Sequence, residues 1–126
     1  MLGAKDAVAT LAVRDLEAAK KFYEGTLGLK VADTDQEPEA LTYHAGSSKI
    51  LVYRSEYAGT NKATAATWGV GNDIEKEVQN LRTKGVTFEH YDMPGMTLKG
   101  DVHVANGMKA AWFKEPDGNI IALVSG

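Results

Sequence analysis

Cysteine is absent from this chain. That excludes disulfides and zinc–thiolate centres together and leads us to expect a cytoplasmic protein. Long apolar runs are missing too: none approaches the roughly 20 residues that a spanning helix needs. The opening Met1-Leu-Gly-Ala-Lys-Asp has no apolar core of the signal-peptide kind. Charge of one sign is not concentrated anywhere. Fourteen Lys and Arg face 17 Asp and Glu, for a net charge of −3. Such a mixed, mildly acidic surface argues against a nucleic-acid footprint or a polybasic membrane patch. The chain also lacks a Gly-rich phosphate loop and the Ser/His/Asp order of known hydrolases, although order alone does not decide a triad. At 126 residues, one domain spanning 1–126 is expected, large enough for a sizeable core.

What is present reads as a repeat. Ala7–Val13 is an apolar, partly β-branched run, hence a strand. Asp15 stands where an N-cap belongs, and Leu16, Ala19, Tyr23 and Leu27 recur at helical spacing until Gly28. Leu29–Ala32 is a second strand, and Asp33–Glu39 an acidic, solvated loop. Leu41–Ala45 and Lys49–Arg54 form a hairpin around Gly46-Ser47-Ser48. Glu56–Ala63 is linker-like. The pattern then restarts with a strand at Thr64–Val70. Asn72-Asp-Ile-Glu75 has the form of a capping box, and Ile74, Val78 and Leu81 make the stripe of a second helix closed by Gly85. Val86–His90 is the next strand, and Tyr91–Met108 reads as a long irregular loop. Val70 and Gly85 repeat Val13 and Gly28 at one offset, while Asp73 and Ile74 repeat Asp15 and Leu16 at an offset one residue longer. Two β-α-β-β-β modules, about 7–56 and 64–126, follow from this.

The tail completes the second module. Ala110–Lys114 and Asn119–Val124 are strands joined by Glu115-Pro116-Asp117-Gly118, where Pro116 pre-sets φ for a type I turn and Gly118 takes the positive φ after it. The bulky run Ile120, Ile121, Leu123 and Val124 predicts a strand covered on both faces. The strand–Val-Arg-Asp-Leu–helix–Phe-Tyr…Leu-Gly-Leu segment at 8–31 and Trp-Phe-Lys-Glu-Pro-Asp-Gly-Asn at 112–119 resemble the vicinal oxygen chelate superfamily. That superfamily includes glyoxalase I, extradiol dioxygenases, fosfomycin-modifying enzymes and bleomycin-binding proteins. With the repeat, the resemblance covers nearly the whole chain. It implies an α+β fold, with paired β-α-β-β-β modules forming a curved eight-stranded sheet and helices on the convex face.

In the enzymes of that superfamily four cavity-facing His and Glu side chains hold a divalent metal. Carried onto this sequence, those positions fall on Val8, Leu51, Ala65 and Ala122, and aliphatic side chains offer no donor. No metal and no other cofactor is therefore expected, and no catalytic residue is assigned. His44, His90 and His103 are scattered. A site built from His90, His103 and a nearby Asp competes with ordinary surface histidines. Alternation places Val8, Thr10 and Ala12, Leu51 and Tyr53, Ala65 and Thr67, and Ile120, Ala122 and Val124 on the cup face. Trp112 joins them by parity with Ala110, and Trp68 packs toward a helix. An apolar cup of this kind suits a bulky organic ligand, while a filled core suits the same pattern.

The expected site comprises Tyr53, Thr67, Trp112 and Ala122, closed from loops by Tyr57, Met93, Met96 and His103. The resemblance implies a metal-free small-molecule-binding protein that sequesters an aromatic or amphipathic compound such as an antibiotic. The alternative is a glyoxalase- or dioxygenase-like enzyme with a displaced metal site or none. A homodimer is expected, with modules pairing within or between chains, and neither nucleic acid nor membrane as partner.

Overall fold

The computed structural model describes residues 1–32 and 39–125. Most of the expected acidic loop at 33–39 lies outside the described residues. The chain divides into two compact units, Met1–Thr60 and Asn61–Gly126.

The first unit runs β1 (Ala9–Val13), α1 (Leu16–Lys20), β2 (Lys30–Val31), β3 (Ala40–Ala45) and β4 (Ser48–Arg54), with a sheet order of β1-β4-β3-β2. β1 lies parallel to β4, so the chain needs a crossover between them, and α1 begins it. Asp15 starts the helix as expected, its carboxylate accepting from the backbone N–H groups of Glu17 and Ala18 at 3.0 and 3.1 Å. The helix continues as a π-helical segment over Lys21–Thr26, and Gly28 leaves it at φ +73°. Leu11, Val13, Ile50 and Val52 share one sheet face and are buried, together with Ala19, Tyr23 and Tyr43 of the same unit. The Tyr23 and Tyr43 rings stack at 5.9 Å, and the Tyr43 hydroxyl donates to Glu24 Oε2 at 2.9 Å.

The second unit runs β5 (Thr64–Gly69), α2 (Ile74–Thr83), β6 (Phe88–Glu89), β7 (Thr97–Lys99), β8 (Val102–Ala105), β9 (Met108–Lys114) and β10 (Ile120–Val124). Its sheet order is β5-β10-β9-β8-β7, with β6 also paired to β9. β10 is the centre, parallel to β5 and antiparallel to β9, and its residues Ile120 to Leu123 are all buried, as its apolar run predicts. α2 turns Ile74, Val78 and Leu81 inward and packs against β9. The Phe88 and Phe113 rings meet edge-on at 5.6 Å.

The β9–β10 turn forms as read: Gly118 adopts φ +91° and its N–H donates to Glu115 O at 2.9 Å. Its side-chain anchor was not legible. Glu115 is 2% exposed, and its Oε1 accepts from the N–H groups of Asp117 and Asn119 at 2.8 and 3.0 Å. Burial pushes its carboxyl up from the usual range, against the opposing pull of those bonds.

Three expectations are corrected. The fold is α+β as expected, but the described strands number ten, four in one sheet and six in the other, where eight were expected. The difference comes from 91–108, read as irregular, which folds into the β7–β8 hairpin around Gly100 at φ +63°. Short polar-tipped strands give too little alternation to be seen against three glycines and a proline. The capping box at Asn72–Glu75 does not form: a 3-10 turn over Gly71–Asp73 leads into α2, Asp73 makes no side-chain cap bond, and Glu75 instead pairs with Lys109.

Candidate functional site

The second unit presents a sheet face opposite its buried Ala111–Phe113–Ile121–Leu123 set. Pairing in register puts Thr67, Ala122, Trp112 and Glu89 in one row across β5, β10, β9 and β6. The next row holds Val124, Ala110 and His103, the last on β8. Thr67, Ala122, Trp112 and His103 are thus brought to one face. Trp68 falls in the opposite row, beside Leu123 and Ala111, as its parity predicts.

Two details depart from plain alternation. The register slips between Ile120 and Ile121, so Ala65 is the extra residue of a bulge, and Thr64, not Ala65, stands opposite Ile120. Thr64 is consequently within reach of Trp112, whose Nε1 donates to its Oγ1 at 3.2 Å. That bond joins β9 to β5, which are separated by β10, so the indole must lie across β10. Ala122 is 3% exposed, the floor under the ring rather than an open lining residue.

His103 also differs from expectation. It belongs to a strand, not a loop, and is 1% exposed. Its Nε2 accepts from the Tyr91 N–H at 3.0 Å. Its ring packs edge-on to Trp112 at 5.0 Å and stacks under Tyr91 at 6.2 Å, while Tyr91 and Trp112 meet at 5.4 Å. Tyr91, His103 and Trp112 therefore make one aromatic cluster. Sequence reasoning missed Tyr91, although its parity with Glu89 on β6 was a usable signal. Met93 and Met96 are half-buried and close a turn through Pro94 and Gly95, with Met96 N–H donating to Met93 O at 3.2 Å.

His90 does not join His103 in a donor set. Its Nε2 lies 2.7 Å from Asp101 Oδ1, and Arg82 holds the other Asp101 oxygen at 3.3 Å. Among the described residues no group of three or more His, Cys, Asp or Glu could hold a metal ion. The family-derived positions Val8, Leu51, Ala65 and Ala122 carry no donor atoms, so these residues do not fit the divalent metal of the related enzymes.

In the first unit, Thr10, Leu51 and Thr42 form one row and Ala12, Tyr53 and Ala40 the next, on the face opposite Leu11 and Val52. Tyr53 is 38% exposed there, and Tyr57, in the turns after β4, is 81% exposed. A cavity of about 320 Å³ in this unit is lined by Arg14, Arg54, Ser55 and Glu56, none of which was anticipated. Arg14 donates to the backbone oxygen of Glu56 at 2.9 Å, and Arg54 Nε lies 3.8 Å from Glu39 Oε2.

The arrangement of two units, each with a helix after its first strand and a parallel pair between its first and last strands, accords with the family model that matches residues 6–123: the Glyoxalase/Bleomycin resistance protein/Dioxygenase superfamily. The chain belongs to this superfamily. Solved structures agree on the fold. A glyoxalase family protein from Enterococcus faecalis is similar at a TM-score of 0.72 and 19% identity, over 98% of this chain and 99% of that one. A bleomycin-binding protein complexed with bleomycin is similar at 0.70 and 15% identity, over 98% and 99%. The fosfomycin resistance protein FosX from Mesorhizobium loti is similar at 0.69 and 13%, over 98% and 92%. No curated protein matches the sequence. No helix among the described residues is long and apolar enough to cross a membrane.

Proposed function

We propose that this superfamily member is a metal-free small-molecule-binding protein that sequesters a planar aromatic or amphipathic compound, in the manner the bleomycin-binding relative's name implies. The observation that carries the reading is the aromatic cluster of Trp112, Tyr91 and His103 on a sheet face whose family-derived metal positions are aliphatic. Aromatic rings supply apolar area and stacking worth about 0.5–1.5 kcal/mol per pair beyond burial. Polar groups are few, which suits binding by shape and burial better than bond-making. Met93 and Met96 supply adaptable apolar surface from the adjoining segment. Thr67, in the Trp112 row, belongs to the same proposed site, while Tyr53 and Tyr57 belong to the first unit. Two copies of the chain are proposed to form the working unit.

The test is a compound screen read by quenching of Trp112 in a Trp68→Phe background, alongside elemental analysis of protein purified without chelators. Saturable quenching with no stoichiometric metal is the expected outcome, and calorimetric titration of Trp112→Ala should show binding of the same compound weakened by about 2 kcal/mol or more. One equivalent of tightly bound transition metal would refute the metal-free reading and favour an enzyme of the glyoxalase or dioxygenase type.

A further inference from the structure

Two polar atoms in the aromatic cluster have nothing to bond to. His103 Nδ1 and the Tyr91 hydroxyl are buried without a hydrogen-bond partner among the described residues. Each such group forfeits its hydration, which folded proteins seldom leave uncompensated.

The protonation pattern of His103 follows from its one bond. A backbone N–H can only donate, so Nε2, which receives the Tyr91 N–H at 3.0 Å, must be the unprotonated nitrogen. In the neutral ring the proton sits on Nδ1, and Nδ1 is a donor without an acceptor. Placing a second proton on Nε2 would set two donors against each other. Nδ1 is therefore the ring atom that presents a donor on this face.

Tyr91 is arranged differently. Its backbone is tied to His103, but its ring is held over His103 by packing, since its hydroxyl has no hydrogen-bond partner among the described residues. Rotation of the ring toward solvent leaves the backbone bond intact and rehydrates the hydroxyl. It also uncovers His103 beside the face of Trp112.

We propose that Tyr91 is a side-chain gate over His103, and that the ligand of this face is a neutral planar aromatic compound bearing a carbonyl-type oxygen. With the gate swung out, that oxygen accepts from His103 Nδ1–H while the ring of the ligand packs on Trp112. The neutral form is specified by the surroundings. Glu89 stands in the Trp112 row, and the nearby Lys114 is already paired with it at 3.7 Å. A neutral imidazole cannot offset the desolvation of an anion next to that carboxylate. This inference rests on the proposed ligand face and adds the chemistry that face selects.

Acetophenone, ethylbenzene and benzoate separate the possibilities, read by nitrogen–proton NMR of the His103 imidazole and the Trp112 indole in the whole protein. Acetophenone should shift both signals and bind about tenfold more tightly than ethylbenzene, the value of one hydrogen bond to a buried donor. Benzoate should bind more weakly than acetophenone. His103→Phe keeps a ring of similar shape and should erase the preference for acetophenone over ethylbenzene. Tyr91→Ala removes the gate, and should speed solvent exchange of Nδ1–H and tighten acetophenone binding. Equal binding of acetophenone and ethylbenzene, with a silent His103 signal, overturns this inference and leaves the ligand face standing. Unchanged Nδ1–H exchange in Tyr91→Ala overturns the gate. No response of the Trp112 indole to any of the three overturns the proposed face and the inference with it.

Discussion

Trp112 donates its indole N–H to Thr64 Oγ1 at 3.2 Å, over the top of the intervening strand β10. A side chain of β9 therefore covers the centre of the second sheet, and only a small residue at position 122 fits beneath it.

Ala122→Leu is expected to lower stability by about 1–3 kcal/mol through overpacking against that indole. Thr67→Ala, in the same row but on the exposed edge strand, should cost less than about 0.5 kcal/mol. Urea denaturation of both variants measures the contrast. Equal effects would place Ala122 in an open cup, away from the indole.

The two repeated aspartates should behave unequally. Asp15→Ala removes a side chain that accepts from two helix N–H groups, and a loss of about 1 kcal/mol is expected. Asp73→Ala removes no cap bond and should change the midpoint little. A paired comparison by thermal melting is decisive; matching losses would mean that α2 is capped in solution by Asp73.

Glu115 should give the protein a pH-dependent stability. Its folded carboxyl binds a proton more tightly than the unfolded one, chiefly because burial penalises the charge. Stability is then greatest below the ordinary carboxylate range and falls as pH rises through the raised folded value. Glu115→Gln retains an acceptor for the Asp117 and Asn119 N–H groups without the charge, and should flatten that fall. Glu115→Ala strands both donors and should cost about 1–3 kcal/mol at every pH. Unfolding curves of the three proteins between pH 4 and 8 test this, and a Gln variant with the native slope would assign the dependence elsewhere.

The proposed two-copy assembly predicts a scattering mass near twice the chain's 13.5 kDa. β1 and β5 stand at the ends of their sheet orders and carry no charged residue to discourage strand pairing. A mass of one chain at tens of micromolar would refute it.

Much of the architecture was legible because it depends on local chemistry. Asp15, Gly28 and Gly85 mark helix ends through capping and positive φ, and Pro116 and Gly118 specify their turn wherever they occur. Alternation separated Leu11 and Val13 from Thr10 and Ala12, because a strand's two faces are fixed by its own backbone. The sequence by itself therefore determined the helices, the tail turn and most of the strand faces. Tertiary structure decided what depends on a neighbour. The slip at Ala65 exists only in the pairing of β5 with β10, and parity counted along one strand does not register it. The β7–β8 hairpin depends on β9 for its partner. Glu115 reads as a charged turn residue until the fold closes around it and two backbone amides become its solvent. His103 reads as a loop histidine until β8 joins the sheet and sets its ring between Tyr91 and Trp112. Helix ends and turns are written in adjacent residues, whereas a buried polar group takes its meaning from residues far along the chain.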